Sequence, residues 1–119
     1  MIIGLGIDLC EIRRIESAIR NHARFEQRIY TDVERAAIAE KGAQTAAGFF
    51  AAKEAVAKAL GGFFGFGFAD ISIEAGPGGQ PRAVLSGGAL DRLRALGGTS
   101  VHLSITHDGG MAAAVAVIE

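Results

Sequence analysis

Three residues stand out by type and surroundings. Asp8 ends an alternating apolar run, while Glu54 and Lys58 sit in a segment with almost no other polar side chain. Each has an ordinary structural use. Asp8-Leu9-Cys10-Glu11 has the D-x-x-E form of a helix capping box, and Asp is a favoured cap. Glu54 precedes Lys58 by four residues, the favourable order for an intrahelical pair, but such pairs contribute only ~0.3–0.5 kcal/mol and belong on exposed faces. The other chemistry open to these residues involves a metal and phosphates. Two carboxylates facing a cleft, with no Cys or His cluster near them, suit a hard cation such as Mg²⁺ that keeps several waters and is completed by substrate phosphates. Lys53 and Lys58 would then supply positive charge for those phosphates. Gly61 and Gly62 follow directly and would let backbone N–H groups approach a phosphate, although the pattern G-x-x-x-x-G-K-[ST] is absent and speaks against a P-loop nucleotidase. His107 fits either a turn or a functional contact, and His102 and His22 read as structural or solvated.

Six of the nine Arg fall between Arg13 and Arg35. On a helical wheel Arg13, Arg20 and Arg24 share one flank while Glu11 and Glu16 lie elsewhere. Such a face is either solvated or a docking site for a small acidic protein, where charge complementarity mainly speeds encounter.

These residues need elements to position them. Ile3, Leu5 and Ile7 alternate with Gly4, Gly6 and Asp8 as a short strand, and from Glu11 the spacing of Ile12, Ile15 and Ile19 is helical. A second capping box, Thr31-Asp32-Val33-Glu34, opens a helix expected to stop near Lys41-Gly42. From Thr45 to Leu60 the chain is apolar on nearly all sides, which predicts a buried helix, so Lys53, Glu54 and Lys58 must be paired, liganded or directed into a cleft. The stretch from Gly61 to Phe68 reads as a packed loop. Asp70 to Glu74 and Arg82 to Leu85 predict a hairpin, Leu90, Leu93 and Leu96 a short helix ended by Gly97-Gly98, and Val101 to Thr106 a strand. A turn at His107-Asp108-Gly109-Gly110 then leads into Met111–Ile118, an apolar run read as a central strand buried on both faces. Strand, three helices, two strands, helix and two strands make an α+β fold, a mostly antiparallel sheet with packed helices in one domain over residues 1–119.

Composition narrows the partners. Twelve Lys and Arg against thirteen Asp and Glu give a net charge of −1, which excludes a protein living on the phosphate backbone of nucleic acid. The single cysteine, Cys10, excludes an internal disulfide and fits a reducing compartment. No apolar run approaches the ~20 residues that cross a bilayer, and Met1-Ile2-Ile3-Gly4 lacks the basic start of a signal peptide, so no membrane association and a cytoplasmic location are expected. With 17 Gly and 22 Ala among 119 residues, the core is built from small side chains, and oligomerisation is expected to supply missing apolar burial.

Four stretches occur together: Gly4-Leu5-Gly6-Ile7-Asp8-Leu9 with Ile12 and Ile15; Arg24-Phe25 with Thr31 and Glu34; Phe50-Ala51-Ala52-Lys53-Glu54-Ala55 with Lys58-Ala59; and Val101 to His107 with Ala112 to Val117. In that combination the chain resembles, over essentially its whole length, the holo-acyl-carrier-protein synthases, the small bacterial 4'-phosphopantetheinyl transferases. The resemblance implies that Asp8 and Glu54 hold Mg²⁺, which also binds the pyrophosphate of coenzyme A. A serine of the acyl carrier protein attacks the β-phosphate, takes phosphopantetheine and releases 3',5'-ADP, a step of fatty-acid biosynthesis. Lys58 offsets phosphate charge, and the serine proton passes to Glu54 or to a metal-ordered water. Lys53, Gly61 and His107 are expected coenzyme A contacts, and Arg13, Arg14, Arg20 and Arg24 would meet the acidic carrier. The family implies a homotrimer with coenzyme A between neighbouring subunits. Three positions depart from its pattern: Phe49 stands where an Arg is common, Cys10 where larger relatives carry a third carboxylate, and Met111 where a Tyr is common. Two protein carboxylates and more water on the metal are therefore expected. Two other classes compete, a non-catalytic trimeric small-ligand-binding module and a phosphate-ester hydrolase; loss of transfer in Asp8→Ala and Glu54→Ala argues against the first, and a carrier-protein mass shift against the second.

Overall fold

The computed structural model describes residues 1–119. Strand β1 covers Gly4–Glu11, followed by helices α1 (Ile12–Asn21), α2 (Phe25–Ile29), α3 (Asp32–Lys41) and α4 (Ala43–Ala59). After a 3₁₀ turn at Phe68–Asp70 come β2 (Ile71–Ala75), β3 (Pro81–Leu85), α5 (Gly87–Ala95), β4 (Val101–Asp108) and β5 (Met111–Ile118). The strands form two antiparallel sheets, one in the order β1-β5-β4 and the other the hairpin β2-β3. The α+β class and the antiparallel pairing agree with the sequence reading; the division into two sheets and the one-turn helix α2 were not foreseen.

Helix α4 is the centre of the molecule. It packs on β1, β5 and β4 and also meets α1, α3 and β2, which explains why its sequence has almost no polar face. Ala46, Ala47, Ala51, Ala52 and Ala55 have no exposed surface, and their small size brings backbones close together. Gly4 and Gly6 do the same from β1: a Cβ on Gly6 would overlap the carbonyl of Ala55, and one on Gly4 that of Ala59. The strand therefore lies directly on the helix backbone.

Two local expectations are corrected. Asp8 is not a helix cap, because β1 pairs with β5 as far as Glu11 opposite Met111 and keeps Asp8 extended in mid-strand opposite Ala114. Glu11 is the N-cap of α1 and makes no side-chain capping bond. Central strand β5 is buried only on alternate residues: Ala112, Ala114, Ala116 and Ile118 face α4, while the other face stays half-exposed in the single chain. By contrast the second capping box forms as expected, with Glu34 N–H donating to Thr31 Oγ1 at 3.4 Å and Thr31 N–H to Glu34 Oε1 at 2.9 Å. His107 lies in β4 itself, and the two-residue turn is Gly109-Gly110, both at positive φ.

Candidate active site

Side chains alternate along β1, so Asp8 and Cys10 point toward α4 while Leu5, Ile7 and Leu9 point outward. On α4 the four-residue spacing sets Phe50, Glu54 and Lys58 along one flank. Where that flank meets β1 and α1, Asp8, Cys10, Arg14, Ile15, His22, Phe25, Phe50 and Glu54 contribute to a cleft of about 490 Å³. Lys58 closes one end, its Nζ donating to Asp8 Oδ1 at 3.1 Å and to the Ile7 carbonyl at 3.0 Å. Lys58 thus pairs with Asp8 across 50 residues rather than with Glu54 one turn away.

The electrostatics follow from this crowding. Burial, then the neighbouring charge of Asp8, pushes the Glu54 carboxyl above its ordinary value, and Lys58 offsets part of the rise. Two carboxylates kept together against their repulsion can hold a divalent cation. The Cys10 thiol is pushed up to about 11, by burial and then by Asp8, and donates to the Ala47 carbonyl at 3.3 Å. It therefore stays protonated and offers no thiolate. No group of three His, Cys, Asp or Glu side chains is placed to hold a metal, so a metal here would have two carboxylate ligands and take its remaining oxygens from water or a bound phosphate. That donor set fits Mg²⁺.

Several predicted site residues lie elsewhere. Lys53 does not face the cleft: it is completely buried, with Nζ 2.6 Å from Glu34 Oε1, because its position on α4 turns it toward α3 and β2. The Gly61 N–H is not free for a phosphate either. It donates to the Lys58 carbonyl at 3.0 Å, and Gly62 N–H donates to Ala57 at 2.8 Å, closing the C-terminal turn of α4. His107 lies on the opposite flank of α4, where the Gln44 amide donates to its Nε2 at 2.9 Å. There it borders a second pocket of about 400 Å³ between α3, α4, β4 and the β2–β3 hairpin, which Lys41, Phe49 and Glu74 also line.

The predicted basic face is divided. Arg13 and Arg14 border a shallow hollow on α1 with Glu11 and His22, and Arg14 also reaches the cleft. Arg24 precedes α2 and lines a neighbouring hollow with Phe25 and Arg28. Arg20 turns toward Glu16, 3.5 Å away, and away from the cleft. Sequence reasoning missed Phe25 and Phe50 as cleft walls. Their rings stack with centroids 6.3 Å apart, and Phe50 stacks on Phe68 at 5.6 Å, joining the cleft to the Gly-Phe loop. The abundance of Phe in that loop was the available signal.

Comparison with known proteins places these features in context. Residues 4–116 match the model of the 4'-phosphopantetheinyl transferase superfamily. The holo-[acyl-carrier-protein] synthase of Solidesulfovibrio magneticus is 51% identical, with 100% of this chain and 99% of the relative covered. That of Sphingopyxis alaskensis is 46% identical, covering 100% and 97%. Among solved structures, Helicobacter pylori holo-[acyl-carrier-protein] synthase in complex with coenzyme A is 36% identical with a TM-score of 0.84, covering 97% of this chain and 99% of that one. The Neisseria meningitidis synthase is 32% identical with a TM-score of 0.87, covering 100% and 99%.

Proposed function

The chain belongs to the 4'-phosphopantetheinyl transferase superfamily, and from that premise we propose that it is a transferase moving 4'-phosphopantetheine from coenzyme A to a serine of apo acyl carrier protein, with Mg²⁺ as cofactor, in fatty-acid biosynthesis. The observation that carries this reading is the meeting of Asp8, Glu54 and Lys58 at one cleft, from elements far apart in sequence. In the reaction a bond forms between the serine oxygen and the β-phosphorus, the bridging P–O bond breaks, and 3',5'-ADP leaves. Held by Asp8 and Glu54, Mg²⁺ would supply positive charge to the pyrophosphate oxygens. Glu54, at the cleft beside Asp8, takes the serine proton directly or through a metal-ordered water. Lys58, with its side chain 52% exposed, has room to turn from Asp8 toward a phosphate. Arg13 and Arg14 sit where an acidic carrier would approach the cleft, with Arg24 beside them.

The second pocket favours a shared site. His107 and Lys41 lie across α4 from Glu54, so one coenzyme A would reach both regions only if a neighbouring subunit supplied one of them. The outward face of β1 suits such an assembly, since Leu5, Ile7 and Leu9 are 66%, 67% and 62% exposed in the single chain. A homotrimer is the arrangement we infer. The test is mass spectrometry of apo carrier protein incubated with the chain and coenzyme A, with and without Mg²⁺. A gain of one phosphopantetheine only with the metal supports the reading; an unchanged carrier mass in both samples would falsify it.

A further inference from the structure

One polar cluster lies outside the cleft and is centred on two charged side chains with no exposed surface. Glu34, the capping-box acid of α3, and Lys53, in the middle of α4, are both 0% exposed. A single carboxylate there ties three elements together: Glu34 Oε1 accepts from Lys53 Nζ at 2.6 Å and from Thr31 N–H at 2.9 Å, and Oε2 accepts from Ile73 N–H of β2 at 2.6 Å. Thr31 Oγ1 and Ser72 Oγ, 2.8 Å apart, add a second tie between α3 and β2. No buried side-chain polar atom in the molecule lacks a partner. A helix cap needs only the Thr31–Glu34 exchange, so the links to Lys53 and Ile73 are beyond what capping requires.

Their location gives these links a consequence. Helix α4 is gripped on one side by β1, whose glycines bring Asp8 close, and on the other by Glu34 through Lys53. Lys53 immediately precedes Glu54, so the buried bond sets the rotation of the helix turn from which Glu54 reaches the cleft. The same carboxylate holds β2 and α3 against α4, and these three elements also form walls of the His107 pocket.

We propose that Glu34 and Lys53 are positioning residues, which set the direction of Glu54 relative to Asp8 and so the divalent-cation site and the rate of transfer, without touching substrate. This rests on the transferase reading given above. Removing one partner leaves a buried charge and can unfold the chain, so the informative variant is the neutral, nearly isosteric double change Glu34→Gln/Lys53→Met. Expected for the folded double variant are a kcat at least about tenfold lower, a KM for coenzyme A within about threefold of the parent, and Mn²⁺ binding to the protein alone weakened about fivefold, since orientation is lost while the binding groups remain. Lys53→Arg, which keeps the charge and the bond to Glu34, is expected to recover most of kcat relative to Lys53→Met. A folded double variant with parental kcat and Mn²⁺ affinity overturns the proposal. If the double variant does not fold, Glu34→Asp decides, because it keeps both charges and only draws the carboxylate back by one methylene: parental kcat and Mn²⁺ affinity in it overturn the proposal, and a kcat about tenfold lower with KM for coenzyme A within about threefold supports it. Failure of the underlying reading looks different, because the parent chain itself then transfers nothing to the carrier.

Discussion

Helix α4 carries two lysines five residues apart, and each is bound to a carboxylate from another element. The Lys53–Glu34 pair is buried, with 0% exposure on both side chains and both carboxylate oxygens hydrogen-bonded. The Lys58–Asp8 pair is longer at 3.1 Å, its lysine is 52% and its aspartate 15% exposed, and Glu54 stands beside it with no hydrogen bond to either. The difference separates a fixed contact from one free to rearrange. A fully buried pair cannot exchange partners without leaving a charge in low dielectric, so it fixes geometry. A half-exposed pair with spare acceptors can give up its lysine to a phosphate and its carboxylate to a cation at small cost, because water screens the intermediate arrangements.

The largest test of that contrast is Lys53→Ala, which strands Glu34 in the core; a loss of about 3–5 kcal/mol in chemical denaturation is expected, and a loss under 1 kcal/mol would erase the distinction. Lys58→Ala should do the opposite. Stability stays within about 1 kcal/mol of the parent while carrier modification slows about a hundredfold, close to 2.7 kcal/mol of transition-state stabilisation. Arg14→Glu, at the rim shared by the cleft and the basic hollow, is expected to raise KM for the carrier roughly tenfold and to weaken its salt dependence while KM for coenzyme A is unchanged; an equal rise in both would refute carrier docking at α1. The smallest effect concerns pH. Folding raises the Glu54 carboxyl above its ordinary 4.5. Between 4.5 and the raised value the folded chain holds more protons than the unfolded one, so this contribution to stability is complete below 4.5 and is lost as pH rises through the folded value. In the absence of divalent cations Glu54→Gln therefore gains thermal stability over the parent at neutral pH, and the gap closes in acid. A gap that widens in acid would show that the carboxyl is not raised.

Much of the scaffold was legible because it is local or periodic. The Thr31–Glu34 capping box, the continuous apolar run of Met111–Ile118 and the nearly all-apolar run from Thr45 to Leu60 each state their element, although not that Met111–Ile118 is buried on one face only. Of the three charges inside that run, Glu54 and Lys58 meet Asp8 at the cleft, whereas Lys53 turns to Glu34. Helix α2 escaped notice because five residues are too few to show a period. Glu34 was legible as a cap but not as the junction of α3, α4 and β2, because its bonds to Lys53 and Ile73 span 19 and 39 residues.

By itself, then, the sequence determined most of the segments that become helix or strand and which charges cannot remain unpaired, since hydrophobic periodicity and burial cost depend on residue type and spacing alone. Partners were decided only in three dimensions. Whether Lys53 or Lys58 faced the cleft, and whether Asp8 capped a helix or sat in mid-strand, depended on how β1 pairs with β5 and on the rotation of α4 against α3. Those are contacts between residues up to about 110 positions apart, and no local pattern encodes the angle at which one side chain meets another.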